Sequence, residues 1–175
     1  MSHFLRHLTV MAMSDTPDRN PDARYRPAHD PSRVVSVLGG AEVFRHPPDS
    51  SLEAHEMLER GMPAEAVTYL VNSFSSLEIS GPLERALGMS LRTLQRKAAG
   101  SPKPLSAEQS GRTWKFAEIL AKATDVLGSQ DVAERWLEAP AIGLDQRRPI
   151  DLLSTPAGVE LVEDYLVRLD YGVYV

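Results

Sequence analysis

The stretch that decides the fold is PLERALGMSLRTLQRKAAG, residues 82–100. Pro82 is placed to open a short helix carrying Leu83, Ala86 and Leu87. Gly88 is placed to close it, because glycine accepts the left-handed conformation at a helix C-terminus. Met89-Ser90 then makes a tight turn, and Ser90 caps a second helix that runs to about Ala99 and ends at Gly100 and Pro102. Two short helices around a glycine turn have the grammar of a helix-turn-helix. In the second helix Leu91, Leu94 and Ala98 share one face, while Arg92, Gln95 and Arg96 fall on the opposite face with Lys97 beside them. Arginine pairs well with guanine edges and glutamine with adenine. Ser90 and Thr93, near the helix N-terminus, suit a phosphate. An ordinary solvated basic face carries the same pattern, and these residues alone leave both readings open.

The charge distribution sharpens this reading. The chain of 175 residues has a formal net charge of −5, which argues against wholesale coating of nucleic acid. Residues 81–104 nevertheless carry five Lys/Arg against Glu84 alone, whereas residues 105–175 carry seven Lys/Arg against twelve Asp/Glu. A basic island beside an acidic half points to two surfaces with different partners. There is no cysteine, which excludes disulfides and thiolate chemistry and fits a reducing cytoplasm. No apolar stretch is long enough for a membrane helix. The opening MSHFLRHLTVMAM is interrupted by His3, Arg6 and His7 and does not read as a signal peptide.

Outward from the basic island, three domains are expected. Residues 1–33 read as a flexible arm, because 14–33 holds four prolines and almost nothing to bury. Residues 34–104 read as the helix-turn-helix domain and 105–175 as a second helical unit. Upstream, Gly61 stops one helix and Pro63 begins another, with Val67, Leu70, Val71 and Phe74 on one stripe. Downstream, Ser106 and Gln109 form a capping box. Gly128 and Ser129 separate two helices, the second presenting Val132, Ala133, Trp136 and Leu137. PIDLL makes a single turn, and Thr155-Pro156 opens the last helix, with Val162, Tyr165, Leu166 and Leu169 on its apolar face. Both tryptophans fall in apolar stripes and are expected in the core. Strand signals are confined to VVSVL at 34–38 and the last five residues, so the fold class is all-α.

Catalysis is not expected. Of the five histidines, at 3, 7, 29, 46 and 55, none has helical partners for a metal, and no nucleophile elbow or phosphate-cradling loop appears. The Glu160, Glu163 and Asp164 cluster reads as a solvated helix face. No metal site and no cofactor are assigned.

MPAEAVTYLVNSF (62–74) followed by ALGMSLRTLQRK (86–97) resembles the Xre-like helix-turn-helix part of antitoxins in the Xre/MbcA/ParS group. SAEQSGRTWKFAEIL (106–120), WLEAPAIGL (136–144), RRPIDLLSTPAGVELV (147–162) and LVRLDYGVYV (166–175) resemble that group's toxin-binding domain, and VVSVLGGAEVF (34–44) its lead-in. One departure is the run Asp145 to Arg148, where the family often has a glycine-rich turn. The resemblance implies an antitoxin of a type II toxin–antitoxin pair. Its C-terminal domain would cover the active-site cleft of a RES-domain toxin that consumes NAD⁺. Its helix-turn-helix would bind operator DNA, typically as a homodimer, and so regulate its own operon. NAD⁺ would then be the toxin's substrate and not a cofactor of this chain. The rival reading is a helix-turn-helix regulator whose C-terminal half serves only for dimerisation.

Candidate DNA contacts are therefore Ser90, Arg92, Thr93, Gln95, Arg96 and Lys97. Candidate toxin contacts are Arg147, Tyr171, Gly172, Val173, Tyr174 and Val175. A free chain end can enter a cleft without a return path, and two tyrosines supply stiff contact area. Val173 to Val175 folding back onto the core, or pairing as a strand, is the competing reading. Arg148 is expected to cap nearby carbonyls or pair with Asp151, in preference to meeting a partner.

Overall fold

The computed structural model describes residues 30–78, 81–99 and 103–172. Among these residues there are ten α-helices, one 3₁₀ turn and no strand, in agreement with the all-α expectation. The helices are α1 (Pro31–Val37), α2 (Gly40–Val43), α3 (Ser51–Arg60), α4 (Ala64–Asn72), α5 (Gly81–Leu87), α6 (Leu91–Ala98), α7 (Ala107–Leu127), α8 (Gln130–Glu138), α9 (Pro149–Leu152) and α10 (Pro156–Asp170). The 3₁₀ turn, Ile142–Leu144, lies between α8 and α9.

The punctuation residues act where the sequence placed them. Ser106 and Gln109 complete a reciprocal capping box at the start of α7, and Gly128 ends that helix at φ 94°. Ser129 accepts a hydrogen bond from the Val132 amide to start α8, and Thr155 accepts one from the Gly158 amide to start α10. Pro63 serves as the N-cap of α4, one position earlier than expected. The VVSVL run is not a strand. Asp30 accepts a hydrogen bond from the Ser32 amide, Pro31 sits in the first helical turn, and the run continues as α1. Val34, Val35 and Leu38 bury together at helical spacing, which outweighs the β-preference of valine. Helix α1 thus takes in residues 31–33, which the sequence reading assigned to the arm.

The 21-residue α7 is the spine. It packs against α1 and α3 on one side, α5 on another, and α8 and α10 beyond. Phe116, Ile119, Leu120 and Ala123 of α7 are buried in a continuous core with Leu83 and Leu87 of α5, Leu137 of α8, Ile150 of α9, and Val162 and Leu166 of α10. Trp114 is buried, as expected; Trp136 is only partly so and stacks on Tyr165 with ring centroids 6.3 Å apart. Helix α8 is rotated from the expected register. Ala133, Glu134 and Leu137 face inward, while Val132 remains 38% exposed.

Glu134 is fully buried and holds the segment after α4 in place. Its Oε2 accepts hydrogen bonds from the backbone amides of Ser75 (2.8 Å), Ser76 (2.7 Å) and Leu77 (3.1 Å), and its Oε1 accepts one from Gln130 (2.7 Å). Burial alone would raise its pKa. The donors, led by the Ser76 amide, outweigh that and hold it below the ordinary carboxylate value. One turn earlier, Asp131 accepts from the Ser76 hydroxyl, and one turn later Glu138 accepts from the Glu78 amide (3.3 Å).

The α9–α10 corner is closely packed. A Cβ on Gly158 would stand 2.0 Å from the Leu152 carbonyl oxygen, a backbone atom that cannot swing aside. Gly158→Ala is expected to destabilise the fold by about 1–3 kcal/mol through overpacking, read as a lower urea midpoint with an unchanged m-value.

Candidate functional site

The helix-turn-helix is built from α5 and α6. The Met89 amide donates to the Glu84 carbonyl (3.0 Å) across Gly88 at φ 64°, which is the glycine-terminated C-cap the sequence implied. The positive φ favours glycine there, and a Cβ would in addition press on the Arg112 side chain, 2.6 Å from its Cδ. Arg112 of α7 in turn donates to the Arg85 carbonyl (3.1 Å), so the spine braces the end of α5. Ser90 Oγ accepts from the Thr93 amide (3.3 Å) and lies 3.1 Å from Thr93 Oγ1, which fixes the start of α6.

Arg92 and Arg96 are both exposed on α6. Lys97 departs from the expected grouping. It is buried, and its Nζ donates to the carbonyls of Lys103 (2.9 Å) and Pro104 (3.2 Å). Its ammonium is satisfied by two carbonyls of the segment leading into α7, so it is not presented beside the two arginines. The side chain of Gln95 lies outside the described residues.

Arg85 also reaches Asp151 of α9 (3.3 Å), which ties the helix-turn-helix to the C-terminal half. Asp151 is held chiefly by Arg148, whose Nε and Nη2 donate to its two oxygens at 2.7 and 3.0 Å. Arg148 thereby takes the structural role preferred for it, and the pairing holds the Asp151 carboxyl below its ordinary pKa. A cleft between α5, α7 and α10 is floored by Phe116, Ile119 and Val159 and rimmed by Lys115, which bonds Glu163 across it (3.1 Å). Burial depresses the Lys115 pKa, but Glu118 and Glu163 outweigh that and raise it.

The loop between α8 and α9 is closed by an antiparallel bridge, Ala141 to Arg147, with the Ala141 amide donating to the Arg147 carbonyl (3.1 Å). Asp145 and Gln146 are both left-handed, at φ 53° and 59°. They adopt the conformation that glycines would supply, at roughly 1–2 kcal/mol each for residues with a Cβ. Arg147 is exposed at the end of this turn. At the C-terminus Tyr171 is 80% exposed and Gly172 is left-handed at φ 70°. Val173, Tyr174 and Val175 lie outside the described residues.

Among the described residues no group of three or more His, Cys, Asp or Glu is placed to hold a metal, and no helix is long and apolar enough to cross a membrane. Two exposed features stand out among the described residues: Arg92 and Arg96 on α6, and Tyr171 at the end of α10.

Comparison with known proteins gives these surfaces a class. Residues 83–118 match the antitoxin Xre-like helix-turn-helix domain, and residues 122–172 match the antitoxin Xre/MbcA/ParS C-terminal toxin-binding domain. The chain is thus an antitoxin of a toxin–antitoxin system, with a helix-turn-helix ahead of its toxin-binding domain. It is 31% identical over 123 residues to Antitoxin Xre of Pseudomonas putida, covering 70% of this chain and 74% of that protein. It is 27% identical over 128 residues to Antitoxin Xre of Photorhabdus laumondii, covering 73% and 84% respectively. A Prs ADP-ribosylating antitoxin of Sphingobium is 30% identical over 98 residues, 51% of this chain and 61% of that one. This chain belongs to the Xre antitoxin family.

Proposed function

We propose that this antitoxin neutralises a RES-type, NAD⁺-consuming toxin by covering its active-site cleft with the end of α10 and the residues beyond it. It also represses its own operon in the cytoplasm, by binding operator DNA as a homodimer. The observation that carries the reading is the placement of Tyr171, at the end of the segment matched as toxin-binding. It is a large aromatic side chain left 80% exposed at the end of the last helix. Support for an NAD⁺-consuming partner comes from the Sphingobium relative, which carries ADP-ribosylation in its name. ADP-ribosyl transfer draws on NAD⁺.

Co-expression tests the toxin half. The polypeptide encoded beside this chain should arrest growth and deplete NAD⁺ when expressed alone, and should do neither when this chain accompanies it. Growth arrest without NAD⁺ loss would reject the RES assignment.

Arg92 and Arg96 are the groups expected to meet operator DNA, with Ser90, Thr93 and Gln95 near them and the buried Lys97 supporting the helix. Arg92→Ala or Arg96→Ala is expected to weaken operator binding by about 1–3 kcal/mol if the side chain reads a guanine edge. If it meets a phosphate instead, the slope of log K against log salt should fall by about 0.9 per contact. Unchanged affinity and unchanged slope in a gel-shift titration would remove that arginine from the interface.

A further inference from the structure

The turn at Ile142–Leu144 is built to hold an apolar side chain out of the protein. Ile142 is 73% exposed, although it sits within a short segment whose neighbours Ala141 and Leu144 are buried. The segment is closed by the Ala141–Arg147 bridge and by two successive left-handed residues that are not glycine. Gly143 lies flat against Tyr165, where a Cβ would come within 2.2 Å of the ring. Backbone strain and close packing are thus spent on presenting Ile142, and the fold's own interior gains nothing from its side chain.

The surroundings extend this point into a surface. Trp136 stacks on Tyr165, and the Arg168 guanidinium lies 5.7 Å from the centroid of the same ring. Arg168 Nε is shielded from solvent and has no hydrogen-bond partner among the described residues. Leu161, one turn before Tyr165 on α10, is 52% exposed. Tyr165, packed on Gly143 next to this exposed aliphatic knob and carrying Trp136 and Arg168 against its ring, gives the composition of an interface centre, not of a solvated face.

We propose that Ile142, flanked by Trp136, Tyr165 and Arg168, is the anchor by which this chain grips its toxin. Ile142 enters an aliphatic socket on the toxin, and a toxin carbonyl or carboxylate meets Arg168. The occupant follows from position: every residue of the surface lies within 122–172, the segment matched as toxin-binding. The inference rests on the toxin-binding reading and adds to it a docking site distinct from the chain end.

The test uses the full-length chain and the purified product of the adjacent toxin reading frame. Ile142→Asp, and separately the milder Ile142→Ser, should weaken the complex by at least about 30-fold. Their melting temperatures should stay at the wild-type value, because the side chain is exposed. Arg168→Ala should weaken binding in the same direction. Leu52→Asp, on a similarly exposed leucine of α3 outside the matched segment, should change it by no more than about 2-fold. Wild-type affinity in both Ile142 variants would overturn the anchor while leaving the toxin-binding reading intact. Dissociation of a homodimer by Ile142→Asp with toxin affinity unchanged would overturn it too, by assigning the surface to a second copy of this chain. Failure of the wild-type chain itself to bind would reject the proposed function, and the anchor with it.

Discussion

Replacing Glu134 by alanine is expected to lower the unfolding free energy by about 3–5 kcal/mol. The substitution empties a site into which three consecutive backbone amides, of Ser75, Ser76 and Leu77, donate. Each buried amide left without an acceptor costs roughly 1–3 kcal/mol, and water can reach the first two more easily than Leu77, which limits the sum. Glu134→Gln keeps an acceptor but loses its charge, and charge-assisted hydrogen bonds are about twice as strong as neutral ones. It should fall between wild type and alanine in a urea titration followed by circular dichroism. The same group sets an acid limit. Its folded-state pKa is depressed below the ordinary 4.5. Its stabilisation is therefore present in full above that value and is lost as pH falls from there through the depressed one. Asp131, lowered by the Ser76 hydroxyl, and Asp151, lowered by Arg148, act in the same direction. The urea midpoint of the wild-type chain should therefore drop as the pH falls below the ordinary carboxylate value of 4.5, and that of Glu134→Ala should drop less.

The helix boundaries were legible because their signals are local. A serine or threonine that bonds an amide three residues on, or a glycine that turns left-handed, needs nothing from distant chain. The VVSVL segment misled because valine's strand preference is also local, whereas the decision was made by burial against α7. Glu134 was missed for a related reason. The expected stripe on α8 ran through Val132 and Trp136, but the buried stripe runs through Ala133, Glu134 and Leu137. A glutamate flanked by apolar residues at i−1 and i+3 was the available clue. Its meaning depended on a loop nearly sixty residues earlier in the chain.

The basic helix stands where the sequence places it, but one of its cations turns inward. Arg92 and Arg96 stand exposed. Lys97 has the same charge and neighbourhood in sequence, yet the returning chain at Lys103 and Pro104 offers it two carbonyls and draws it inward. Nothing in helical periodicity reports such a return. At the other end the sequence directed attention to the tyrosine-rich terminus, whereas Ile142 passed as one more aliphatic residue in an irregular segment. Its exposure follows from the Ala141–Arg147 bridge and the left-handed pair at 145 and 146. Nonadjacent backbone geometry of this kind has no signature in composition.

Deleting Tyr171–Val175 is expected to abolish neutralisation in cells while leaving helix content and operator affinity at wild-type levels. Within the described residues the deleted segment contributes little to the fold. Tyr171 is 80% exposed, and its amide and that of Gly172 only close the last turn of α10, onto Val167 (3.1 Å) and Leu169 (3.0 Å). Losing Tyr171 and Gly172 frays one terminal turn. The functional loss should be large because a cleft is blocked only by what enters it, and the segment beyond α10 is the part proposed to enter. If Ile142 supplies the grip, the truncated chain should still co-purify with the toxin, and the complex so formed should regain the toxin's activity. Ile142→Asp should give the opposite result, with the tail intact and no complex. A truncated chain that still rescues growth would show that the blocking element lies elsewhere on the toxin-binding domain. A truncated chain that no longer binds would place affinity as well as inhibition in the last five residues.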